Sequence, residues 1–144
     1  MIRKNSKYIY FDHSATTPVL PEVVNEVSNC FTLFYGNASE PHSPGLKARE
    51  ILDHSRKIIG ECLGADPEEI IFTSGGTESD NLAIFGVTEA YREKGNHIIT
   101  SQIEHPAVHT PLKKLSRLGF KITYIPVDKF GTVDPQDVKK AITK

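Results

Sequence analysis

Short apolar segments alternate with longer segments of helical spacing from residue 70 to the end of the chain. The apolar segments predict strands at 70–73, 97–101 and 121–127. The helical spacing predicts helices at 78–94, 106–118 and from Pro135 onward. Strands joined by helices form parallel sheets whose faces need helical cover. The sequence therefore predicts an α/β fold in which a mainly parallel sheet is flanked by helices, and three strands suggest part of a larger sheet.

The first 64 residues are organised differently, because they are dominated by helical patterns. A short strand is predicted at 8–11 and a helix at 21–34. A second helix is predicted at 45–63, with Gly64 as its C-terminal cap. We therefore divide the chain into an N-terminal segment at 1–20, a pair of helices with a connecting loop at 21–64, and an α/β part at 65–144.

Composition narrows the classes of protein that fit. Hydrophobic residues make up 38% of the chain, charged residues make up 24%, and the net charge is -1, which is typical of a globular protein. No cluster of Lys and Arg predicts contact with nucleic acid, and no apolar run of about 20 residues predicts a membrane span. Cys30 and Cys62 lie in helical patterns and are expected to be buried thiols in a reducing compartment. Since no signal peptide is found, the expected location is the cytoplasm.

The turn Ser74-Gly75-Gly76-Thr77 lies between a predicted strand and a predicted helix. Free N–H groups and the helix dipole favour an anion there, and glycine lets the backbone approach a ligand closely. The hydroxyls of Ser74 and Thr77 can bond a phosphate or cap the helix. The local pattern fits a cup for one phosphate group and an ordinary capped turn equally well. The chain has neither the G-x-x-x-x-G-K-[ST] motif nor the G-x-G-x-x-G motif, which argues against a nucleoside triphosphate or a dinucleotide.

His105 follows the strand predicted at 97–101 and precedes Pro106, which favours the first position of a helix. The carboxyl ends of adjacent parallel strands share one edge of a sheet, so His105 is expected on the same edge as Gly76 and Thr77. His109 stands four residues later, but no third ligand accompanies this pair and no metal site is predicted. His109 is instead expected at the edge of the core.

Asp12, His13 and Ser14 place the residue types of a hydrolytic triad next to one another. Such triads are defined by geometry, and three neighbouring side chains cannot readily point at one another. No hydrolytic site is predicted there.

Five segments together resemble the N-terminal part of the NifS/IscS-like cysteine desulfurases, which are class V members of the aminotransferase superfamily. The segments are YFDHSATTPV at 10–19, GNASEPHSPG at 36–45, ADPEEIIFTSGGTESDNLAI at 65–84, HIITSQIEHPAV at 97–108 and GFKITYIPVDKFGTVD at 119–134. The resemblance implies the large domain of fold type I and the cofactor pyridoxal 5'-phosphate (PLP). It implies a complete enzyme that converts L-cysteine to L-alanine, forms a homodimer, and passes sulfur to an acceptor or scaffold protein for iron–sulfur assembly or tRNA thiolation.

The resemblance also implies roles for single residues. Gly76 and Thr77 match positions that bind the PLP phosphate, and His105 matches a histidine that stacks on the PLP ring and is proposed to move protons. Four further residues match segments near the substrate entrance: His13, Ala15, Asn37 and His42. The loop departs from the family pattern, because Ala38 replaces a proline and Glu40 replaces a serine.

The resemblance also implies a Schiff-base lysine and a catalytic cysteine. The family binds PLP through a Schiff-base lysine in a Ser-x-His-Lys setting, and it uses a catalytic cysteine in a late loop. No lysine here has that setting, and neither Cys30 nor Cys62 matches the catalytic cysteine. The expectation is therefore a fragment that is inactive alone. A selenocysteine lyase, another class V PLP enzyme, and a non-catalytic partner-binding or vestigial chain remain as alternatives.

Overall fold

The computed structural model describes residues 9–143, which form two compact units, one up to Ile70 and the other from Ile71 onward. The first unit contains the helices α1 (Pro21–Thr32) and α2 (Ser43–Leu63) and a 3-10 helix (Pro67–Glu69). The second unit contains, in order, α3 (Gly76–Ala90), β1 (His97–Ser101), α4 (Pro106–Arg117), β2 (Lys121–Ile125) and α5 (Pro135–Ala141). Within residues 9–143, none of the helices combines the length and the apolar character that crossing a membrane requires.

The second unit is built on a parallel pair of strands. β1 and β2 run side by side in a register that sets His97 opposite Lys121 and Ser101 opposite Ile125. Two parallel strands need a crossover between them, and α4 provides it. This arrangement confirms the predicted α/β fold with a parallel sheet flanked by helices.

A small apolar core fixes the helices of the second unit against this sheet. Its centre is Leu112, Leu115 and Phe120, whose exposed fractions are 1%, 3% and 8%. The partly buried side chains around this centre come from α3, β1, α4 and β2: Ile84, Phe85, Ile98, Val108 and Ile122. Because residues of α3 and α4 share one cluster, the two helices pack against each other.

Two of the predicted strands are wrong. Residues 9–11 and 70–73 form no ladder, and the sheet of the described residues consists of β1 and β2. A strand needs a neighbour to receive its hydrogen bonds, and neither segment has one within residues 9–143. Tyr8, the first residue of the predicted strand at 8–11, lies outside the described residues.

The first unit is held by loop and cap contacts more than by a core. α2 ends at Gly64, whose φ of 68° is in the left-handed region and whose N–H donates to Gly60 O, which confirms the predicted cap. The Arg56 guanidinium donates to Ile70 O. The buried residues in the described part of this unit are two glycines, Gly45 and Gly60.

The predicted burial of both cysteines is wrong. Cys30 and Cys62 are free and exposed. The apolar residues of α1 are also exposed, with Val27 at 46% and Phe31 at 77%. Cys30 lies on this helix, whose apolar side chains stay exposed within the described residues, so the helical pattern around Cys30 did not indicate burial.

Candidate functional site

The turn before α3 leaves open space beside its backbone. Gly75 precedes the helix in an extended conformation, and the first helical bond runs from Ser79 N–H to Gly75 O at 3.1 Å. The N–H groups of Gly76 and Thr77 precede that bond, so they lack helical acceptors. A Cβ added to Gly75 or Gly76 would have no atom within 4 Å. This turn can therefore admit an anion close to its backbone, which is what a phosphate group requires.

Ser74 is engaged inside the turn. Its N–H and its hydroxyl both donate to Oε2 of Glu78, at 2.7 and 2.6 Å. These two hydrogen bonds lower the pKa of the Glu78 carboxyl. Of the two hydroxyl residues predicted for a phosphate, Ser74 is thus committed to Glu78, whereas Thr77 is exposed in the first turn of α3.

His105 lies immediately before α4 and caps it. Its Nδ1 accepts a hydrogen bond from the N–H of Ala107 at 3.1 Å. A nitrogen that accepts is unprotonated, so the neutral ring carries its proton on Nε2. The imidazole is exposed, and Nε2 is the ring nitrogen that remains available for a ligand.

Asn81 connects the starts of these two helices. Its Nδ2 donates to Thr77 O at 2.8 Å and to Ala107 O at 3.3 Å. Gly76, Thr77 and His105 therefore lie at neighbouring helix starts, whereas the sheet edge predicted to carry them lacks the strand at 70–73. No sequence motif predicted a role for Asn81.

The other predicted site residues lie in the first unit. His13 and Ala15 occupy a tight turn, in which the Ala15 N–H donates to Asp12 O at 3.1 Å and His13 Nδ1 lies 3.2 Å from the Thr17 hydroxyl. The His13 ring also contacts Tyr10 edge-on, with 5.0 Å between ring centroids.

Asn37 and His42 shape the loop that leads into α2. Asn37 Oδ1 accepts from Ser39 N–H at 3.0 Å, and His42 Nδ1 accepts from Gly45 N–H at 3.2 Å, which caps the helix. Both residues make local contacts that order the loop. Their predicted role at a substrate entrance stays a prediction.

His109 lies at the edge of the second unit's core, as predicted. It is partly buried and its ring lies 5.6 Å from that of Tyr124. In the part of the chain that the structure describes, no group of three His, Cys, Asp or Glu residues is arranged to hold a metal ion.

Known proteins match almost the whole chain. Residues 9–144 match the family model for aminotransferase class-V. The chain is 48% identical over 136 residues to a cysteine desulfurase IscS of Dictyoglomus turgidum, and equally so to a NifS/IcsS protein homolog of Lactobacillus delbrueckii subsp. bulgaricus. Each alignment covers 94% of this chain, but 34% and 35% of the two relatives. The chain thus spans about one third of the length of these relatives.

Solved structures agree with the sequence matches. A NifS-like protein superimposes with a TM-score of 0.89 at 38% identity, over 94% of this chain and 37% of that protein. SspA, solved in complex with cysteine, superimposes with a TM-score of 0.86 at 38% identity, over 93% of this chain and 39% of SspA. Enzymes of this family, cysteine desulfurases included, depend on PLP. The open turn at α3, the histidine that caps α4 and these matches agree, and the chain belongs to the class V aminotransferase family.

Proposed function

We propose that this chain forms the phosphate-binding part of a PLP-dependent cysteine desulfurase. The observation that carries the proposal is the pairing of an open glycine turn with His105 at two neighbouring helix starts, joined through Asn81. A phosphate monoester fits the turn because N–H groups and the helix dipole both favour negative charge there. A planar ring fits beside His105 because the imidazole is exposed and held in one orientation.

Each residue would contribute a separate interaction to the bound cofactor. Gly76 and Thr77 would donate backbone N–H groups to the phosphate, and the Thr77 hydroxyl would add one further bond. His105 would contact the ring and would exchange a proton through Nε2, since Nδ1 is already held by Ala107 N–H. PLP itself supplies an electron sink that weakens the bonds at the α-carbon of a bound amino acid.

The substrate and partners belong to the same proposal. SspA was solved with cysteine, and the curated relatives are cysteine desulfurases, which supports L-cysteine as the substrate. We infer conversion to L-alanine with transfer of sulfane sulfur to an acceptor protein, by a cytoplasmic homodimer. Since no lysine of the chain lies in a Ser-x-His-Lys setting, we expect these 144 residues alone to bind the phosphate end of the cofactor without turning over cysteine.

Calorimetric titration of the 144-residue chain with pyridoxamine 5'-phosphate tests the proposal. This ligand lacks the aldehyde of PLP, so it cannot react with surface lysines. We expect it to bind more tightly than pyridoxamine, which has no phosphate. Thr77→Val should weaken binding of the phosphorylated ligand, because a charged hydrogen bond is lost.

Thr88→Val is the matched control, because Thr88 lies on α3 and its hydroxyl bonds within the helix, to Ile84 O at 2.7 Å. It should leave the affinity unchanged. Equal affinities for pyridoxamine and its phosphate, or equal effects of the two Thr→Val changes, would contradict the phosphate site.

A further inference from the structure

Asn81 makes two hydrogen bonds to backbone carbonyls that belong to different helices. Thr77 O lies in the first turn of α3, and Ala107 O lies in the first turn of α4, 26 residues away from Asn81 in sequence. An amide nitrogen carries two hydrogens, so each carbonyl can receive one of them. One partly buried side chain therefore joins the two helix starts that carry Thr77 and His105.

Pro111 explains why Ala107 needs an outside donor. In a regular helix the carbonyl of residue 107 accepts from the N–H of residue 111, and proline has no N–H. Pro111 lies inside α4, and Ala107 is buried, with an exposed fraction of 6%. A buried carbonyl without a partner is destabilising. The carboxamide of Asn81 provides the hydrogen bond that α4 cannot make for itself.

The same peptide segment orients His105. The N–H of Ala107 is the donor that holds His105 Nδ1, while the C=O of Ala107 accepts from Asn81. A shift of Ala107 relative to α3 would therefore move the imidazole relative to the turn at Gly76 and Thr77.

We propose that Asn81 is a positioning residue for the cofactor site, which fixes the distance between the phosphate-binding turn and His105. The inference rests on the proposed function, because it assumes that one ligand contacts both helix starts. Asn81 acts through Thr77 and Ala107, whose carbonyls it binds, and contacts no part of the cofactor in this scheme.

Two probes separate positioning from a general loss of structure. Inorganic phosphate engages the α3 turn alone, whereas pyridoxamine 5'-phosphate engages both helix starts. We expect Asn81→Ala to weaken binding of pyridoxamine 5'-phosphate about fivefold to tenfold, the factor of one lost hydrogen bond. The affinity for inorganic phosphate, measured by ³¹P NMR, should change by less than about twofold, because the contacts of phosphate with the α3 turn survive. An equal loss of affinity for the two ligands would overturn the proposal. Unchanged affinity for both ligands would overturn it as well.

A second experiment needs no ligand. NMR of the ¹⁵N-labelled imidazole of His105 reports the Nε2–H tautomer that the Ala107 cap selects. Asn81→Ala should reduce that preference, and Thr88→Val on the same helix should not. An unchanged His105 spectrum in Asn81→Ala would contradict the link.

Pro111→Ala supplies the missing N–H inside α4 and completes the test. In that background the effect of Asn81→Ala on the His105 tautomer should fall by about half or more, because Ala107 O keeps a donor. An equal effect in both backgrounds would overturn the assigned role. If the unmodified chain binds no pyridoxamine 5'-phosphate, the proposed function fails, and these NMR measurements alone decide whether Asn81 joins the helix starts.

Discussion

Glu78 places a negative charge in the first turn of α3, where an anion is favoured. Its carboxylate accepts both hydrogen-bond donors of Ser74, which leaves the N–H groups of Gly76 and Thr77 for a ligand. The residue thus stabilises the approach to the helix while keeping the glycine turn open. This division of donors could not be predicted from the sequence, in which the hydroxyls of Ser74 and Thr77 can each cap the helix or bond a phosphate.

The contribution of Glu78 to stability should depend on pH. Because the Ser74 hydrogen bonds lower the folded-state pKa of Glu78, its stabilising effect is full above the ordinary Glu pKa of about 4.3. The effect is lost as the pH falls through the lowered folded-state pKa. Urea unfolding from pH 7 to pH 3 should show Glu78→Gln less stable than the parent at neutral pH, with a gap that closes in acid.

Glu89→Gln, on the same helix, controls for the introduced amide. A gap between Glu78→Gln and the parent that stays constant across this pH range would contradict the assigned role of the carboxylate.

His105 combines a structural and a functional task that substitution can separate. Asn also caps helices well, so His105→Asn should retain stability, whereas His105→Ala should lose about 1 kcal/mol. Both variants should weaken binding of pyridoxamine 5'-phosphate, because both lack the imidazole. Denaturant unfolding and calorimetric titration measure the two effects. Full ligand affinity in His105→Asn would show that the ring is not a cofactor contact.

The positions of some candidate site residues could be predicted from the sequence, and that of Asn81 could not. The location of Gly76, Thr77 and His105 at helix starts was predictable because glycine or proline marks each start, and their role in binding a cofactor stays a prediction. Asn81 was missed because its role depends on Pro111, which removes a donor from a different helix. A proline inside a predicted helix marks an unpaired carbonyl four residues earlier, and that signal could have prompted a search for the donor.

The sequence predicted the helices better than the strands, because a helix makes its hydrogen bonds within its own segment. Caps such as His42, Gly64 and Asp134 act on their own segments, and Asp134 Oδ1 accepts from Gln136 N–H at 2.8 Å at the start of α5. Strands depend on a partner that can be distant in sequence. The apolar residues 70–73 satisfy the pattern for a strand, but the described residues offer them no neighbour.

Gly64, the C-cap of α2, and Gly86, inside α3, should change the free energy of unfolding in opposite directions when each is replaced by alanine. Gly64 has a φ of 68°, so Gly64→Ala should lower the free energy of unfolding by about 1 kcal/mol. Gly86 lies inside α3, and an added Cβ would have no atom within 4 Å, so Gly86→Ala should raise it by about 0.5–1 kcal/mol. Urea unfolding of both variants checks the pair, and a shift of the same sign in both would contradict the assignment.

The exposed apolar surface of the whole molecule bears on whether the chain associates with itself in solution. Large apolar side chains are exposed in both units, among them Phe11 at 92%, Phe31 at 77% and Phe130 at 80%. Contiguous apolar patches are uncommon on monomeric proteins, and the exposed residues Val23, Val27 and Phe31 follow one another every four residues along α1. This surface is consistent with a chain that spans about one third of its relatives' length.

We therefore expect the 144-residue chain to self-associate at micromolar concentration. Analytical ultracentrifugation should show species larger than 16.0 kDa that increase with protein concentration. Phe31→Glu, which adds a charge to the exposed face of α1, should reduce that increase, and Glu22→Gln is the control on the same helix. A single monomeric species at all concentrations would count against this expectation.

The crossover from β1 through α4 to β2 also bears on how the chain acquires its structure. Leu112, Leu115 and Phe120 all lie between the start of β1 and the end of β2, so the centre of the core closes over a short loop, for which the entropic barrier is low. Kinetically, this segment should be the nucleus on which α3 later docks. Leu112→Ala should then slow refolding in stopped-flow measurements, whereas Val87→Ala, on the exposed side of α3, should leave the refolding rate unchanged.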